Sequence, residues 1–498
     1  MYLKHISLRD FRNYESAELD FSPRINVLIG ANAQGKTNLL EAIYVLAMTR
    51  SHRTANDHEL INFDHKHAQV KGLVERQTGS VKLNLALGPR GKKAEVNHVE
   101  QARLSQYIGQ MNVILFAPED LALVKGSPSV RRRFIDMEFG QIDPRYLYAL
   151  TRYRAVLKQR NRYLKDLRQG QGGDSAQIYL DVLSEQLARL GASVIRRRQD
   201  FLASLEKYAS NLHARISQKN EKLSFQYLAS MKNLKTDEDI SKMDEKELGK
   251  RLLEDYRSLR AQEIKRGTTL VGPHRDDLRF LINGRNVQTY GSQGQQRTAA
   301  LAVKLAEIGV MKEKTGEYPL LLLDDVLSEL DGARQTHLLK TIQDKVQTFL
   351  TTPDMSAIAR QLIKQPRVFR IKSGQAELEA SGEKVELTPE QKATQARKAA
   401  KDAELDKILG LTPDGKVKKP DRQADNSARA AEKATAAGSA APGGADSPAV
   451  QDFYPQAGVQ VFYPRPRVQI FYPRLRVQDS RSHEQAGVQV FYPHEKRK

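Results

Sequence analysis

The sequence contains no cysteine among its 498 residues. This absence excludes disulfide bonds and zinc or iron–sulfur sites with cysteine ligands, and it is typical of proteins in a reducing compartment. No apolar run approaches the roughly 18 residues that a membrane span needs, and the amino-terminal segment alternates charged and apolar side chains instead of forming a signal-peptide core. These absences predict a cytoplasmic protein that does not enter a membrane.

The chain carries a large excess of positive charge. It has 80 lysines and arginines against 60 aspartates and glutamates, which gives a formal net charge of +20. A polyanion is therefore the leading class of partner, although charge alone does not separate DNA from RNA or an anionic lipid surface. The length and a hydrophobic fraction of 40% predict a globular protein with a large core or two domains, plus tails.

The segment INVLIGANAQGKTNLLEAI, residues 25–43, has the pattern of a strand, a turn and a helix. Its turn fits GxxxxGKT, in which glycines let backbone N–H groups point at phosphate oxygens and the helix N-terminus adds its positive dipole end. In this interpretation Lys36 neutralises the β- and γ-phosphates as a catalytic residue, and the Thr37 hydroxyl binds Mg²⁺. The alternative is a tight turn with a solvated lysine. The candidate nucleotide-binding residues are Gly30, Ala31, Asn32, Ala33, Gln34, Gly35, Lys36, Thr37 and Asn38.

Two adjacent aspartates follow an apolar run in residues 318–329, YPLLLLDDVLSE. The four leucines predict a buried parallel strand, and carboxylates at its carboxyl end lie where ligands bind in open α/β sheets. Asp324 is predicted to hold Mg²⁺, directly or through water, and Asp325 to orient or deprotonate the attacking water as a catalytic residue. Capping of a following helix would explain only one of the two acids.

A second candidate anion-binding turn precedes a helical pattern at residues 290–298, YGSQGQQRT. A Ser-x-Gly-Gln turn at a helix N-terminus presents N–H groups to an anion, and its residues here are Ser292, Gln293, Gly294 and Gln295. Both turns cannot readily lie on one γ-phosphate within one subunit. The sequence therefore predicts a nucleotide bound between two copies of the chain, with this turn acting in trans. A capped loop without a ligand is the alternative.

Residues 145–215 contain two long helical patterns separated by GQGGD, which predicts an antiparallel helical hairpin. Its basic outward side is predicted to contact DNA phosphates. No base-reading recognition helix is evident, so binding directed by DNA structure is favoured over base readout. A basic face that is merely solvated is the alternative. The candidate DNA-binding residues are Arg131, Arg132, Arg133, Arg152, Arg154, Lys158, Arg160 and Arg162, with Lys165 and the arginines at 196–198 as further members of the basic surface.

In this order along the chain, GxxxxGKT at Gly30, SQGQQR at Ser292 and DDVLSELD at Asp324 resemble the motifs of ABC-type ATPases of the SMC and Rad50 group. More narrowly, the chain is similar to the RecF family of bacterial recombination mediators. The segments that carry this similarity, within residues 1 to about 375, are LRDFRNY, QGKTNLLEAIYVLAMTRSHR, APEDLALVKGSPSVRRRFID, YRAVLKQRN and GPHRDDL.

The resemblance implies an α/β fold: an ABC-type P-loop ATPase lobe with an inserted helical lobe that contains a short antiparallel helical pair. The ATPase lobe would comprise residues 1–125 and 296–378. The helical lobe would comprise residues 126–295, with basic helices and the signature motif at its end.

The resemblance also implies a function. ATP and Mg²⁺ would join two subunits into a homodimer whose basic surface binds duplex DNA and gaps or single-strand/double-strand junctions, and weak ATPase activity would act as a conformational switch. Ser292, Gly294 and Gln295 would cap the γ-phosphate held by the other subunit, and residues 328–331 would link the two sites. RecR and RecO are the implied protein partners in loading RecA for repair and replication restart.

Two features depart from other ABC ATPases. Asp325 occupies a position where many of them have glutamate, so the shorter side chain reaches less far. Thr351 and Thr352 follow an apolar strand where transporters commonly have a histidine, which argues against the alternative of a transporter's nucleotide-binding subunit. The other alternative is a structural DNA clamp that binds nucleotide without functional turnover. The segment GPHRDDL, residues 272–278, is predicted to be a polar turn that supports the nucleotide or signature region.

The composition changes from about residue 379. Residues 379–450 predict a charged, low-complexity linker that cannot bury a core. In residues 451–498 the tripeptide Phe-Tyr-Pro recurs in units too short for common solenoids, so this tail is predicted to be disordered. Its near-identical nonapeptides suggest the hypothesis of a translated DNA repeat fused by loss of a stop codon. Its basic and aromatic residues would add nonspecific DNA affinity.

Overall fold

The computed structural model describes residues 1–171, 176–217, 221–232, 240–342, 345–353, 363 and 365–380. The predicted linker at 379–450 and the predicted tail at 451–498 therefore lie outside the described residues, apart from Glu379 and Ala380. Within these ranges, no helix is both long enough and apolar enough to cross a membrane. The lobe boundaries proposed from the sequence stay a prediction.

The strands and helices are numbered here in chain order. The strands are β1 (Tyr2–Phe11), β2 (Tyr14–Asp20), β3 (Ile25–Ile29), β4 (Ala68–Arg76), β5 (Gly79–Gly88), β6 (Gly91–Val96), β7 (Val99–Glu100), β8 (Val113–Phe116), β9 (Leu223–Leu228), β10 (Asp277–Ile282), β11 (Arg285–Asn286), β12 (Leu320–Asp324), β13 (Thr348–Thr352), β14 (Arg367–Lys372) and β15 (Gln375–Ala380). The helices are α1 (Lys36–Met48), α2 (Leu104–Tyr107), α3 (Ala122–Lys125), α4 (Pro128–Ile142), α5 (Pro144–Arg168), α6 (Ala176–Ile216), α7 (Glu245–Ser258), α8 (Arg260–Arg266), α9 (Val287–Tyr290), α10 (Gln293–Thr315) and α11 (Gly332–Ile342), with short 3₁₀ turns at Asp57–Leu60, Pro118–Leu121, Ile240–Lys242 and Val326–Glu329.

A mainly parallel sheet in the order β15-β14-β3-β13-β12-β8 forms the centre of the ATPase lobe. The inner strands β3 and β12 are short and mainly apolar, and β13 carries three threonines; almost every residue of the three strands is buried, as expected for parallel strands covered on both faces. In the register of this sheet, Asp324 lies opposite Thr351, and Thr352 lies opposite Ile29. The carboxyl ends of β3, β12 and β13 therefore meet at one edge.

An antiparallel sheet in the order β2-β1-β4-β5-β6-β7 packs against the other side of α1. Its strands alternate between buried and exposed residues, and the buried side shares one hydrophobic cluster with α1 and the central sheet. The contact is close: a Cβ atom on Gly72 of β4 would lie 2.5 Å from a methyl carbon of Leu46 in α1. The helix that follows the GxxxxGKT turn is thus fixed between two sheets.

The helical lobe is built on α5 and α6, of 25 and 41 residues. They run antiparallel, because Tyr146 of α5 contacts Arg198 of α6 while Arg160 further along α5 contacts Ser184 earlier in α6. This confirms the predicted helical pair. A small antiparallel sheet, β11-β10-β9, which no sequence pattern predicted, packs on the same lobe.

A buried charge cluster joins α10 to α4. Lys304 Nζ lies 3.0 Å from Glu307 on its own helix and 3.5 Å from Glu138 on α4, and all three side chains are nearly inaccessible. The two carboxyl groups share one lysine, and burial raises the pKa of both Glu307 and Glu138. The site therefore disfavours two negative charges at once. The cluster fixes the orientation of α10, which begins at the predicted signature motif.

Candidate nucleotide-binding and DNA-binding sites

The predicted phosphate-binding turn joins β3 to α1 at the carboxyl edge of the central sheet. Gly35 directly precedes α1 with a φ of 116°, a conformation that glycine takes without strain. Gly30 is needed for a different reason, since a Cβ atom there would lie 2.3 Å from the carbonyl oxygen of Ile371 in β14. Between the two glycines, Ala31 and Ala33 are exposed. The turn therefore has the glycine-dependent backbone and the open side that a phosphate cradle requires.

Lys36 is held over this turn. It is 7% exposed, and its Nζ donates hydrogen bonds to the carbonyl oxygens of Gly30 at 2.6 Å and Ala31 at 2.8 Å. Burial lowers the pKa of Lys36, while the nearby Asp325 and Asp324 act in the opposite direction. An ammonium has three donors, so one remains for an anion in the turn.

Thr37 and Asp324 meet although they lie 287 residues apart in the chain. The Thr37 hydroxyl donates to Asp324 Oδ1 at 2.9 Å, and the Thr351 hydroxyl donates to the same oxygen at 2.8 Å. Hydroxyl and carboxylate oxygens are hard ligands of the kind that Mg²⁺ prefers, so this pair fits the predicted metal site. The part played by Thr351 was not predicted; its only signal in the sequence is a polar side chain at the end of an apolar strand.

Asp325 sits beside this pair in the left-handed region, with a φ of 51°. Its backbone N–H donates to the Thr351 hydroxyl at 2.9 Å, and its carbonyl oxygen accepts from the Ser328 hydroxyl at 2.6 Å. These bonds fix the turn immediately before residues 328–331, the predicted link between two nucleotide sites. Gln335 further holds this segment by donating to the carbonyl oxygens of Leu327 and Leu330 at 2.6 and 3.0 Å.

The turn between β14 and β15 clamps the phosphate-binding turn from outside. Gln34 accepts a hydrogen bond at Oε1 from Ser373 N at 2.8 Å, and its carbonyl oxygen accepts from Gly374 N at 3.0 Å. Gly374 has a φ of 77°, and a Cβ atom there would lie 2.0 Å from the Asn13 carbonyl oxygen. The Ser-Gly pair between two alternating patterns could have predicted a hairpin. Its contact with Gln34 depends on tertiary packing.

The buried carboxylate of Glu41 on α1 pairs with two arginines next to the same turn. Glu41 is 0% exposed, and Arg12 donates to both of its oxygens at 2.9 Å. Arg53 lies 3.3 Å from Glu41, and Ser51 donates to it as well. Burial alone would raise the pKa of Glu41, but these contacts lower it overall, so the carboxylate stays charged. Through its partners, Glu41 connects the β1–β2 turn and the segment after α1 to the phosphate-binding helix. The sequence signal for Glu41 is one acid inside an apolar helical pattern.

The predicted signature residues form the start of α10. Ser292 is the N-cap: its Oγ accepts from Gln295 N at 3.2 Å, and Gln295 Oε1 accepts from Ser292 N at 2.8 Å. This capping box is the alternative that the sequence left open, and it leaves Gln293 exposed and Gly294 half-buried. Among the described residues, no hydrogen bond joins this motif to the GxxxxGKT turn of the same chain. Its predicted role in trans stays a prediction.

The predicted DNA-binding residues divide into exposed and buried side chains. The prediction is wrong for Arg131 and Arg160, which are 3% and 0% exposed. Arg131 binds Asp277 through two hydrogen bonds of 2.7 and 3.0 Å. Arg160 donates to Glu263 at 2.7 Å and stacks over Tyr256. Their periodicity on helices did not reveal burial, because acids distant in the sequence pair with them.

The prediction is also wrong for Arg198, which is 2% exposed and pairs with Asp136 at 2.7 Å. Arg132 is half-buried and donates to the Asp276 carbonyl oxygen at 2.6 Å. Arg154 also pairs with Asp136, but its side chain is 54% exposed. The exposed candidates are Arg133, Arg152, Arg154, Lys158, Arg162 and Lys165.

The GPHRDDL segment contacts residues of the helical lobe, and its predicted support of the nucleotide or signature region stays a prediction. His274 accepts a hydrogen bond at Nδ1 from the Tyr153 hydroxyl at 2.6 Å, and burial lowers its pKa to about 4. Asp276 is 1% exposed and accepts from the Tyr227 hydroxyl at 2.6 Å and from Ser230 N at 2.8 Å. The segment is a buried polar turn whose hydrogen bonds connect β9, β10 and α5.

Arg160 and Arg162 provide a matched test of burial, two residues apart on α5. Replacing Arg160 with alanine is expected to lower the free energy of unfolding by about 3–5 kcal/mol, because Glu263 is left buried without its partner. Replacing the exposed Arg162 with alanine should change stability by less than about 0.5 kcal/mol. Urea unfolding followed by circular dichroism measures both, and equal transition midpoints for the two variants would contradict the assignment.

The fold and this site together define an ABC-type ATPase. Residues 2–375 match the family described as RecF/RecN/SMC N terminal domain, which is about three quarters of the chain, and the chain belongs to this family.

Within that family, the similar proteins are RecF proteins. The chain is 62% identical over 374 residues to the DNA replication and repair protein RecF of Ligilactobacillus salivarius (strain UCC118), covering 75% of this chain and 97% of the relative. It is 56% identical to RecF of Latilactobacillus sakei subsp. sakei (strain 23K), with 75% and 98% covered. A solved structure of the recombination mediator protein RecF with ATP, in the RecFOR pathway, superposes with a TM-score of 0.70 at 36% identity, covering 76% of this chain and 98% of that one. The resemblance to RecF expected from the motifs is thereby confirmed.

Proposed function

We propose that this chain is an ATP-dependent DNA-binding recombination mediator that dimerises on ATP and uses slow hydrolysis as a switch. The observation that carries the proposal is the meeting of Thr37 and Asp324 at 2.9 Å beside Lys36, at the end of a glycine-dependent turn. The relatives are named as DNA replication and repair proteins, and a similar solved structure is described with ATP.

In the proposed site, backbone N–H groups of residues 30–38 cradle the phosphates and Lys36 faces the β- and γ-phosphate oxygens. Thr37 and Asp324 would hold Mg²⁺, which supplies charge neutralisation when bound. Asp325, fixed through its backbone by Thr351, would orient the attacking water. The Asp325 side chain is shorter than the glutamate of many related ATPases, which favours slow turnover.

The proposed dimer places the signature turn of each subunit against the nucleotide held by the other. Ser292 and Gln295 already preorder this turn through the capping box, and Gln295 Nε2 additionally donates to Glu221 at 2.7 Å. A preordered helix N-terminus binds an anion without the entropic cost of ordering a loop. Assembly with RecR and RecO, and loading of RecA at gaps or junctions, extend the proposal by similarity to proteins of the RecFOR pathway.

DNA would bind to the exposed basic side of α5, where Lys158 and Arg162 are each open to solvent. With a nonhydrolysable ATP analogue we expect a shift from monomer to dimer in light scattering and tighter binding to gapped DNA in fluorescence anisotropy. If five side chains contact phosphates, the plot of log affinity against log salt should have a slope of about −4.

A variant with Lys158→Ala and Arg162→Ala should bind DNA about tenfold more weakly and flatten that slope by about 2. The matched control replaces Lys4 and Lys93 of the antiparallel sheet, which are 54% and 71% exposed, with alanine and removes the same charge. A protein that stays monomeric with the analogue and DNA, or a salt slope near zero, would overturn the proposed function.

A further inference from the structure

A groove on the helical lobe lies outside the nucleotide site, at the amino-terminal end of α5 and away from Lys158 and Arg162. It is formed between α5 and α6, with a volume of about 490 Å³, which falls in the range of about 300–1,000 Å³ found for ligand pockets. Ala149 and Leu190 contribute apolar lining, and the ring of Tyr148 beside them is 55% exposed. An aromatic side chain left so open at the edge of an apolar hollow is typical of a surface that binds a partner.

Three arginines surround this hollow. Arg189 and Arg197 lie on one face of α6, two turns apart, and Arg145 faces them from the first turn of α5. Arg145 and Arg189 are exposed, and no ion pair to a described residue occupies either of them. Arg197 donates to Asp143 at 2.8 Å, while its buried Nε has no hydrogen-bond partner within the described part of the chain.

The surrounding acids neutralise this charge only in part. Asp143 is already engaged as the N-cap of α5, accepting from Arg145 N at 2.8 Å and Tyr146 N at 3.0 Å, and as the partner of Arg197. Glu245, at the start of α7, is the acidic residue that lines the groove. The rim therefore keeps a net positive charge around an apolar floor.

We propose that this groove binds an acidic peptide segment of a partner protein, with one apolar side chain of that segment seated between Tyr148 and Leu190. Guanidinium groups bind carboxylates through paired hydrogen bonds, and clusters of arginine are a recurring means of recognising acidic motifs. The apolar floor supplies the anchor pocket that such recognition needs, and the arginine rim supplies orientation and specificity.

The groove lies at the amino-terminal end of α5, whereas the proposed DNA contacts lie further along the helix. At 1.5 Å per residue, Lys158 and Arg162 are about 20–25 Å along the axis from Arg145, and they are rotated about 140° and about 100° from it. The exposed Arg152, one turn after Tyr148, is the DNA candidate on the groove side. A concave, apolar-floored site also suits a side chain better than a phosphodiester backbone, whose contacts are with charged and polar groups.

The test uses the full chain and a fluorescein-labelled octapeptide of five aspartates, two leucines and one phenylalanine. Fluorescence anisotropy should show saturable binding that weakens at least tenfold in the double variant Arg145→Glu, Arg189→Glu, and about threefold to fivefold in Tyr148→Ala. Glutamate in the first turn of α5 is compatible with the helix dipole, so the charge reversal should not unfold the helix. The octapeptide with asparagine in place of aspartate should not bind.

A second double variant, Lys158→Glu with Arg162→Glu, carries the same charge change further along α5 and should bind the octapeptide within twofold of the original chain. Equal losses in both double variants, or unchanged binding in the groove variant, would overturn the proposal.

Displacement of the octapeptide by single-stranded DNA, together with loss of DNA affinity in the groove variant, would assign the groove to nucleic acid and overturn it as well. A concentration-dependent dimer without nucleotide that the groove variant abolishes would assign it to a second copy, with the same consequence. ATP-dependent dimerisation is measured in parallel, so failure of the groove and failure of the nucleotide site give different results.

Discussion

Replacing Lys36 with alanine is expected to abolish the proposed ATP-dependent dimerisation of the chain. The substitution removes the buried ammonium that lies 2.6 Å from the Gly30 carbonyl and 2.8 Å from the Ala31 carbonyl, at the point where the turn would meet the β- and γ-phosphates. A hydrogen bond to a charged group contributes about 1.5–3 kcal/mol, so the loss of the one donor left for a phosphate corresponds to a fall in ATP affinity of about tenfold to a hundredfold. Without the ammonium, the turn would also no longer hold the phosphates in the position that joins the subunits.

Light scattering with and without a nonhydrolysable ATP analogue measures this outcome. The control is Lys93→Ala, which removes a lysine that is 71% exposed on the antiparallel sheet and should leave the dimer unchanged. A normal yield of dimer from the Lys36 variant would refute the proposed nucleotide site. Circular dichroism should show the same helical content for both variants, since α1 is held between two sheets by apolar contacts that neither substitution touches.

Replacing Asp325 with asparagine should slow hydrolysis by about 10²- to 10⁴-fold and prolong the dimer on DNA. The exchange removes the carboxylate that would orient or deprotonate water, and losing one general base typically has an effect of this size. Asparagine tolerates the left-handed φ of 51° at this position, so the hydrogen bonds to Thr351 and Ser328 should persist. The variant therefore separates chemistry from folding.

Phosphate release measures the rate of hydrolysis, and dissociation from labelled gapped DNA in the presence of ATP measures the lifetime of the dimer. The exposed Asp64 provides the control, because its change to asparagine makes the same chemical exchange outside the site. An unchanged lifetime on DNA, despite slower hydrolysis, would favour a clamp without functional turnover over a switch. An unchanged rate of hydrolysis would instead remove Asp325 from the mechanism.

Local patterns were enough to predict the edge of the central sheet at which the proposed nucleotide site lies. The apolar runs before Gly30 and Asp324 predicted buried parallel strands, and carboxyl ends of such strands meet at one edge because neighbouring strands share a direction. The meeting of Thr37 with Asp324 followed from that rule without coordinates. The helical pair also followed from the sequence, because its apolar spacing persists through 25 and 41 residues.

Burial of charged side chains could not be predicted in the same way. Arg160 and Arg162 belong to one basic helical pattern, yet one is inaccessible and the other exposed. The difference arises from Glu263, which lies 103 residues away in the chain and supplies the charge that permits Arg160 to be buried. Gly374 is a second example, because the close approach of the Asn13 carbonyl excludes a Cβ atom there in addition to the local φ of 77°.

The sequence by itself determined the strands, turn and helices around the proposed nucleotide site, the long helical pair, and the points where glycine, lysine and aspartate follow an apolar run. The tertiary structure alone decided which charges face solvent, which turn clamps Gln34, and that three arginines surround an apolar groove between α5 and α6. The physical reason is the range of the forces. Backbone preference and hydrophobic periodicity act over a few neighbouring residues, whereas desolvation and ion pairing depend on partners that only folding brings together.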